Sequence, residues 1–371
     1  MRKLILINYT GRKGGGPLDA IEMTKGLLAH GCSIIAVLSE SIENREEWER
    51  LPLLKLILIP TYRSRLGFTA RTLWFFLVGR KRLAKQLKSY KIDAIYCPMI
   101  TFWTKMINDV VPAQETIVVN HDPIPHSGDK YAKWGTLFST DACYHSASKI
   151  VVHSKIYVSY VEKRYKKRGK VFYIPLGRHD CYKYHAQQMP CNYNPNMFNF
   201  IFFGTISRYK GIDVLLKAYG IVCRRMKNVS LSIYGSGDFA PYRRQAEHLL
   251  NVTVVNRWIA DEEVAGIFQG ENLIIVLPYI DATQSGVVLV SMDFGVPIIA
   301  SDTGGLSEQI EDHVTGILVE PGNAEALAEA MIQLAIDKEE QTRIQKNVRA
   351  YLQTLNWGES ARKLLACMDE A

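Results

Sequence analysis

The sequence predicts an α/β chain in two units, each a parallel sheet wound by helices. Three observations carry this. Short apolar runs alternate with helix-length segments from Lys3 to Thr354, the pattern of repeated βα units. A polar stretch from Gly177 to Asn196, holding Pro190 and Pro195, interrupts the alternation and reads as a linker. The length of 371 residues suits two domains of ordinary size. The expected division is a first unit at 1–180, a linker at 181–196, a second unit at 197–356 and a last helix at 357–371.

Taken in order, strands of the first unit are expected near Lys3–Asn8, Ser33–Leu38, Lys55–Ile59, Ala94–Tyr96, Thr116–Val119, Ile150–His153 and Val171–Ile174. Helices are expected near Leu18–His30, Ala70–Ser89, Met99–Asn108, Lys130–Thr140 and Lys155–Lys166. Each rests on apolar runs of strand length or on longer amphipathic segments. The second unit opens with a strand at Phe198–Phe203, and later strands are read at Asn272–Leu277 and Val296–Ala300. A terminal helix is read over Glu359–Met368.

Composition bounds the function. Hydrophobic residues make up 47% and charged residues 22%, a globular profile and not a disordered one. The seven cysteines are odd in number and lack a Cys-x-x-Cys pair, which argues against a disulfide framework or zinc site and for a reducing compartment. The apolar run Leu4–Ile7 is too short for a secretory signal, and no run reaches the ~18 residues of a membrane span. Charge is divided unevenly. Residues 1–190 hold 30 Lys/Arg against 15 Asp/Glu, about +15, which leaves 15 against 22, about −7, for residues 191–371. The first half therefore expects an anionic partner.

Several loops at strand ends carry candidate chemistry. Gly11-Arg12-Lys13-Gly14-Gly15-Gly16-Pro17 follows the first strand, and consecutive glycines let a backbone approach a ligand closely. The run matches neither Gly-x-Gly-x-x-Gly nor a P-loop. The loop from His121 to Asp129 follows a strand ending at Asn120, and carboxyl ends of strands are where open α/β sheets bind ligands. Asp129 could equally cap a helix. Gly204-Thr205-Ile206-Ser207-Arg208-Tyr209-Lys210-Gly211 ends the strand Phe198–Phe203 and puts two cations where a diphosphate could sit. Gly235-Ser236-Gly237 follows another strand. At Pro278–Ile310 the turn Gln284-Ser285-Gly286 precedes a helical segment, and Thr303-Gly304-Gly305 makes a second turn. Backbone N–H groups at such a helix start form a cradle for phosphate.

Together these pieces resemble the GT-B glycosyltransferases of the retaining family 4 type. The matching segments are Gly204 through Ala218, Gly235-Ser236-Gly237, Gly295-Val296-Pro297-Ile298-Ile299-Ala300-Ser301, Gly304-Gly305 with Glu308, Gly316–Val319 and Pro321-Gly322-Asn323. Their order and spacing carry the likeness, which covers nearly the whole chain. It implies two Rossmann-like domains facing across a cleft, with a C-terminal helix packed back on the first. It implies a nucleotide-diphosphate-sugar donor held by the second domain at Gly204, Gly235, Asp281, Gln284, Ser285, Gly286 and Val287. Gly15 and Gly16 would face that donor from the first domain. His121 falls where relatives carry a histidine near the transferred sugar, with Asp122 and His126 as acceptor-positioning residues.

The expected catalytic set is His121, Arg208 and Lys210. Fixed cations and backbone amides stabilise a leaving diphosphate without a metal, and no Asp-x-Asp is present to chelate one, so no metal and no cofactor is expected. The resemblance implies that a leaving phosphate oxygen takes the acceptor proton, so no enzymic nucleophile is required. One departure concerns two glutamates that the family commonly carries. Aligned on Gly295, their places hold Ala282 and Val290, with Asp281 or Gln284 a substitute for the first and Ser291 and Asp293 near the second.

The acceptor expected is a lipid-linked saccharide. Tyr62 to Arg82 mixes cations with bulky apolar residues, as helices at a membrane interface do, and Lys163–Lys170 adds a second basic run. The protein is therefore expected to be cytoplasmic and peripheral, at an anionic membrane surface. Nucleic acid is not expected as a partner, because no reading motif accompanies the basic residues. A sugar-nucleotide epimerase would need acidic groups at the anomeric and C2 positions, which are not found. A catalytically inactive partner subunit is favoured by the missing glutamate and opposed by Arg208, Lys210 and His121.

Overall fold

The computed structural model describes residues 2–62, 65–124, 140–178, 193, 194 and 196–370, side chains of Arg65 and Leu66 excepted. The chain divides into two compact units. The first comprises Met1–Pro123, Lys130–Gly177 and Asn356–Ala371, and the second Ile124–Asp129 and Arg178–Leu355. All but Thr140 of the expected helix at Lys130–Thr140, and most of the linker at 181–196, lie outside the described residues.

The first unit holds β1 (Leu4–Tyr9), β2 (Ser33–Ser39), β3 (Lys55–Ile59), β4 (Ile92–Cys97), β5 (Ala113–Asn120), β6 (Lys149–Val152) and β7 (Val171–Tyr173). All pairs are parallel, in the order β3-β2-β1-β4-β5-β6-β7. The order reverses direction between β1 and β4, which opens a crevice beyond the carboxyl ends of those strands. The second unit holds β8 (Phe198–Phe203), β9 (Val229–Tyr234), β10 (Val252–Val255), β11 (Leu273–Leu277), β12 (Ile298–Ser301) and β13 (Ile317–Val319). It is parallel in the order β10-β9-β8-β11-β12-β13, with the reversal between β8 and β11. Every residue of β11 is buried, as a central strand covered on both faces requires.

The terminal helix Trp357–Asp369 belongs to the first unit, as the resemblance implied. Asn356 caps it, accepting the Glu359 N–H at 2.7 Å. It lies so close to the helix Gly15–Ala29 that a Cβ on Gly26 would fall 2.6 Å from the Trp357 carbonyl oxygen. Ser360 Oγ donates to the Pro175 carbonyl at 2.8 Å. Buried Lys149 donates to the Cys367 carbonyl at 2.7 Å and pairs with Glu115 at 2.9 Å.

Two helices differ from expectation. The one expected over Met99–Asn108 begins only at Thr104, because Thr104 Oγ1 accepts the Thr101 N–H at 2.8 Å and holds the preceding residues as a turn. The one expected over Ala70–Ser89 starts at Arg65 and passes through a π-helical turn, Phe75–Gly79. That turn carries Phe75 into the core, stacked on Trp103 at 4.8 Å. Gly79 makes room for it, since a Cβ there would lie 2.4 Å from the Phe75 ring. No helix among the described residues is long and apolar enough to cross a membrane.

Candidate functional site

In the second unit, β8 ends at Phe203, and past Gly204 the chain runs into Arg208-Tyr209-Lys210, a single 3-10 turn. Gly211 follows in the left-handed region at φ +66, and a Cβ there would fall 1.9 Å from the Pro278 carbonyl oxygen. Glycine is therefore required for this loop to lie against the end of β11. The Ile280 N–H donates to the Tyr209 carbonyl at 2.7 Å and joins the two loops. The consequence falls on Lys210. Its ammonium stands 3.6 Å from the ring centroid of Tyr279 and 4.9 Å from that of Tyr209, so two rings fix the cation by cation–π attraction. Tyr279 is fully buried, and burial pushes its phenol up to about 12. Arg208 is exposed and forms no ion pair among the described residues.

Tyr279 links this cation to the helix Gly286–Phe294, because its hydroxyl lies 3.3 Å from Ser285 Oγ. The Ser285 backbone has a partner within the protein. Its N–H donates to Gln309 Oε1 at 2.8 Å, and Gln309 Nε2 donates back to the Ser285 carbonyl at 3.2 Å. The Ser285 amide is thus committed to the protein, and Ser285 is a buried cap for the loop. The amides of Gly286 and Val287 precede the first backbone bond at this end, from Val288 N–H to the Ser285 carbonyl. Gly286 faces open space, with nothing within 4 Å of the direction a Cβ would take. Gly204 lies nearby, its Cβ direction reaching Val287 Cγ2 at 3.9 Å. The structure thus brings Gly204, Lys210, Gly286 and Val287 around one strand-end cradle, which a helix dipole makes favourable to anions.

Gly235 has a different duty. Its φ is +143, and a Cβ would fall 1.9 Å from the Gly204 carbonyl oxygen. It lets β9 continue alongside β8 past Gly204, through Ile206 N–H donating to the Ser236 carbonyl at 2.9 Å. Asp281 and Gln284 are half-buried in the loop between β11 and the helix. Ala282 and Val290, at the family's glutamate places, are buried in the apolar core. Ser291 Oγ donates to the Val296 carbonyl at 2.9 Å, so it does not take over a glutamate's part.

In the first unit, the glycine run is partly explained by Tyr9. A Cβ on Gly11 or Gly16 would fall 2.1 or 2.2 Å from the Tyr9 hydroxyl, whereas Gly15 meets nothing within 4 Å. Gly16, expected at the donor, makes room for a buried phenol, and Gly15 remains open to a ligand. Both sit in the first turn of the helix Gly15–Ala29.

His121 stands just past β5, its Nε2–H donating to the Pro98 carbonyl at 2.7 Å. Its ring meets His153 edge-on at 4.7 Å. His153, not expected from the sequence, donates from Nδ1 to the Ile174 carbonyl at 2.8 Å. Burial first and the neighbouring His121 next push it down to about 4, so His153 is a neutral imidazole beside His121 at pH 7. Asp122 is exposed, and His126 and Asp129 lie outside the described residues. The signal for His153 was its place at the end of β6, beside the end of β5.

Comparison with known proteins bears on the fold and on the second unit. Residues 192–351 match the family model Glycosyl transferases group 1. The D-inositol 3-phosphate glycosyltransferase of Paenarthrobacter aurescens is 28% identical over 184 residues, 48% of this chain and 45% of that protein, so the chain spans about half of that relative's length. The O-antigen chain mannosyltransferase C of Escherichia coli is 27% identical over 281 residues, 74% of each chain. Among solved structures, Anabaena HepE in complex with UDP and glucose superposes with a TM-score of 0.72 at 16% identity, covering 100% of both chains. The chain has the GT-B fold of these glycosyltransferase structures, and its residues 192–351 are similar to the Glycosyl transferases group 1 family.

Proposed function

We propose that the chain is a retaining, metal-independent glycosyltransferase that moves a sugar from a nucleotide-diphosphate sugar to a saccharide acceptor in glycoconjugate synthesis. The observation that carries this is Lys210, held by two tyrosine rings beside the open end of the helix Gly286–Phe294. The relatives named above act on sugars, and HepE is described in complex with UDP and glucose; both support the donor class. In the step proposed, the bond from the sugar's anomeric carbon to the diphosphate breaks as the acceptor oxygen bonds to the same face. The acceptor proton passes to the departing phosphate oxygen. Lys210, Arg208 and the amides of Gly286 and Val287 meet the charge that develops there, and such fixed groups act without reorganising. His121 contributes a hydrogen bond to the transferred sugar. Gly15 and Asp281 complete the donor contacts.

The acceptor proposed is lipid-linked, at the cytoplasmic face of the membrane. Support comes from the helix around the π turn, where Leu73, Phe76 and Leu77 are 59%, 54% and 56% exposed and Arg80, Lys81 and Arg82 follow. Apolar side chains beside a run of cations suit an anionic lipid surface. The test of the donor reading is calorimetric titration with a panel of nucleotide sugars, followed by mass analysis of product on lipid-diphosphate saccharides. Binding without transfer to any acceptor would favour the inactive partner subunit, a reading for which buried Val290 at a glutamate place speaks.

A further inference from the structure

Beyond the carboxyl ends of β1–β4 lies a cavity of about 810 Å³, lined among others by Thr10, Arg12, Lys13, Tyr62, Phe102 and Trp103. None of these takes part in the donor chemistry proposed above. Two features mark the cavity as built for a ligand. The first is charge. Arg12 and Lys13 both face it, and neither forms an ion pair among the described residues. Arg12 is held with its guanidinium 5.1 Å from the Tyr62 ring centroid, so its planar fork is oriented in advance for an oxyanion. Thr10 and Thr101 line the same cavity, their Oγ1 atoms 2.5 Å apart.

The second feature is an aromatic row whose two end rings, Tyr62 and Phe102, line the cavity. Tyr62 meets Phe68 edge-on at 4.8 Å, and Phe68 meets Phe102 at 4.7 Å. Phe102 keeps 49% of its surface exposed, a large apolar face beside two cations. Sugar rings carry C–H faces that lie on such aromatic surfaces and bury apolar area there.

We propose that this cavity binds a phosphate-bearing saccharide as acceptor, its phosphate on Arg12 and Lys13 and a sugar ring on Phe102. The assignment of this ligand as the acceptor rests on the transfer proposed above, whereas the binding chemistry stands on the cavity alone. The phosphate has two sources, a free sugar phosphate or a lipid-diphosphate saccharide. The cavity wall favours the second. Trp103 is buried, donates from Nε1 to Thr72 Oγ1 at 3.0 Å and stacks on Phe75. Both partners lie on the segment that exposes Leu73, Phe76 and Leu77, so the cavity shares its wall with the proposed lipid-facing helix.

The experiment is calorimetric titration of the full chain with hexose 1-phosphate, with a short-chain prenyl-diphosphate hexose in vesicles, and with neutral octyl glucoside. Wild type should bind both phosphates, more weakly as salt rises, and octyl glucoside at least tenfold more weakly. Arg12→Gln and Lys13→Gln should each weaken hexose 1-phosphate about tenfold, the scale of a lost charge-assisted hydrogen bond. Phe102→Leu should weaken hexose 1-phosphate while leaving the binding of inorganic phosphate, titrated alongside, unchanged. Unaltered circular dichroism and thermal midpoints establish that the variants fold. Tighter binding of the prenyl form, lost in Phe76→Ser/Leu77→Ser, assigns the lipid source; equal affinities assign the free sugar phosphate. Equal binding of the neutral glucoside, or full affinity in both charge variants, overturns the proposal. A failure confined to nucleotide-sugar binding would instead overturn the donor reading and leave this site standing.

Discussion

Lys210 and Tyr279 should be energetically coupled, and the coupling should appear in turnover. The ammonium lies 3.6 Å from a ring that is fully buried, where a cation–π contact is worth about 2 kcal/mol. Losing a donor aimed at developing charge costs about 10²–10³ in kcat, and Lys210→Met should fall in that range. Tyr279→Leu leaves the cation present but unheld. If it gives up about 1.4–2 kcal/mol of that restraint, kcat/KM drops about 10- to 30-fold. Tyr279→Phe keeps the ring and loses only the 3.3 Å hydroxyl contact with Ser285 Oγ, so its loss should stay within about threefold. The assay is a double-mutant cycle in kcat/KM, run where urea melts show every variant folded, because Tyr279→Leu also removes core volume. Added to Lys210→Met, Tyr279→Leu should do little more. An equal drop in both backgrounds would mean that Tyr279 merely fills space and that the clamp on Lys210 has no catalytic role.

Other expectations follow from the same geometry. His121→Ala should lower kcat more than donor affinity, read by parallel kinetics and calorimetry, since its proposed contact is to the sugar. Chelation with EDTA should leave turnover intact, and complete loss restored by Mg²⁺ would contradict the charge assignment. Replacing Arg80, Lys81 and Arg82 with Ser should weaken sedimentation with anionic vesicles, with little change on neutral ones and none in nucleotide-sugar binding. His153, held near 4 when folded against about 6.5 when unfolded, takes up its proton first in the unfolded chain. Urea stability should therefore be full above about pH 6.5 and decline as pH falls toward 4; His153→Asn should flatten that decline.

The parallel fold was legible because buried strands such as β11 read as continuous apolar runs, whose signal is local. The proposed phosphate cradle was legible only as loops. Sequence could place Lys210 after a strand, but not under Tyr279, which comes 69 positions later and meets it only because Gly211 lets two loops touch. The hydrogen bond that engages the Ser285 amide was hidden in the sequence for the same reason. Its partner, Gln309, ends the short helix Leu306–Gln309 that follows β12. Glycines were the most ambiguous signal. Gly16 and Gly235 are required by Tyr9 and by the Gly204 carbonyl, and both look the same in sequence as Gly286, which faces open space. The π turn at Phe75–Gly79 left no periodic trace, since one extra residue in a helix is smaller than the noise of an apolar pattern.

The first unit takes its last helix from residues that follow the whole of the second. On the ribosome, β1–β7 emerge early, but the face of Gly15–Ala29 around Gly26 has no cover until Trp357–Asp369 is made. The second unit, made of Ile124–Asp129 and Arg178–Leu355, has all its parts before then. Order of synthesis and order of completion are thus reversed, and the nascent first unit must wait with an apolar helix face exposed, the situation in which chaperones intervene. A pulse-proteolysis series on stalled chains should find the second unit protease-resistant first. Shortening the chain before Trp357 should leave the second unit folded and the first trapped as a sticky, uncompleted sheet.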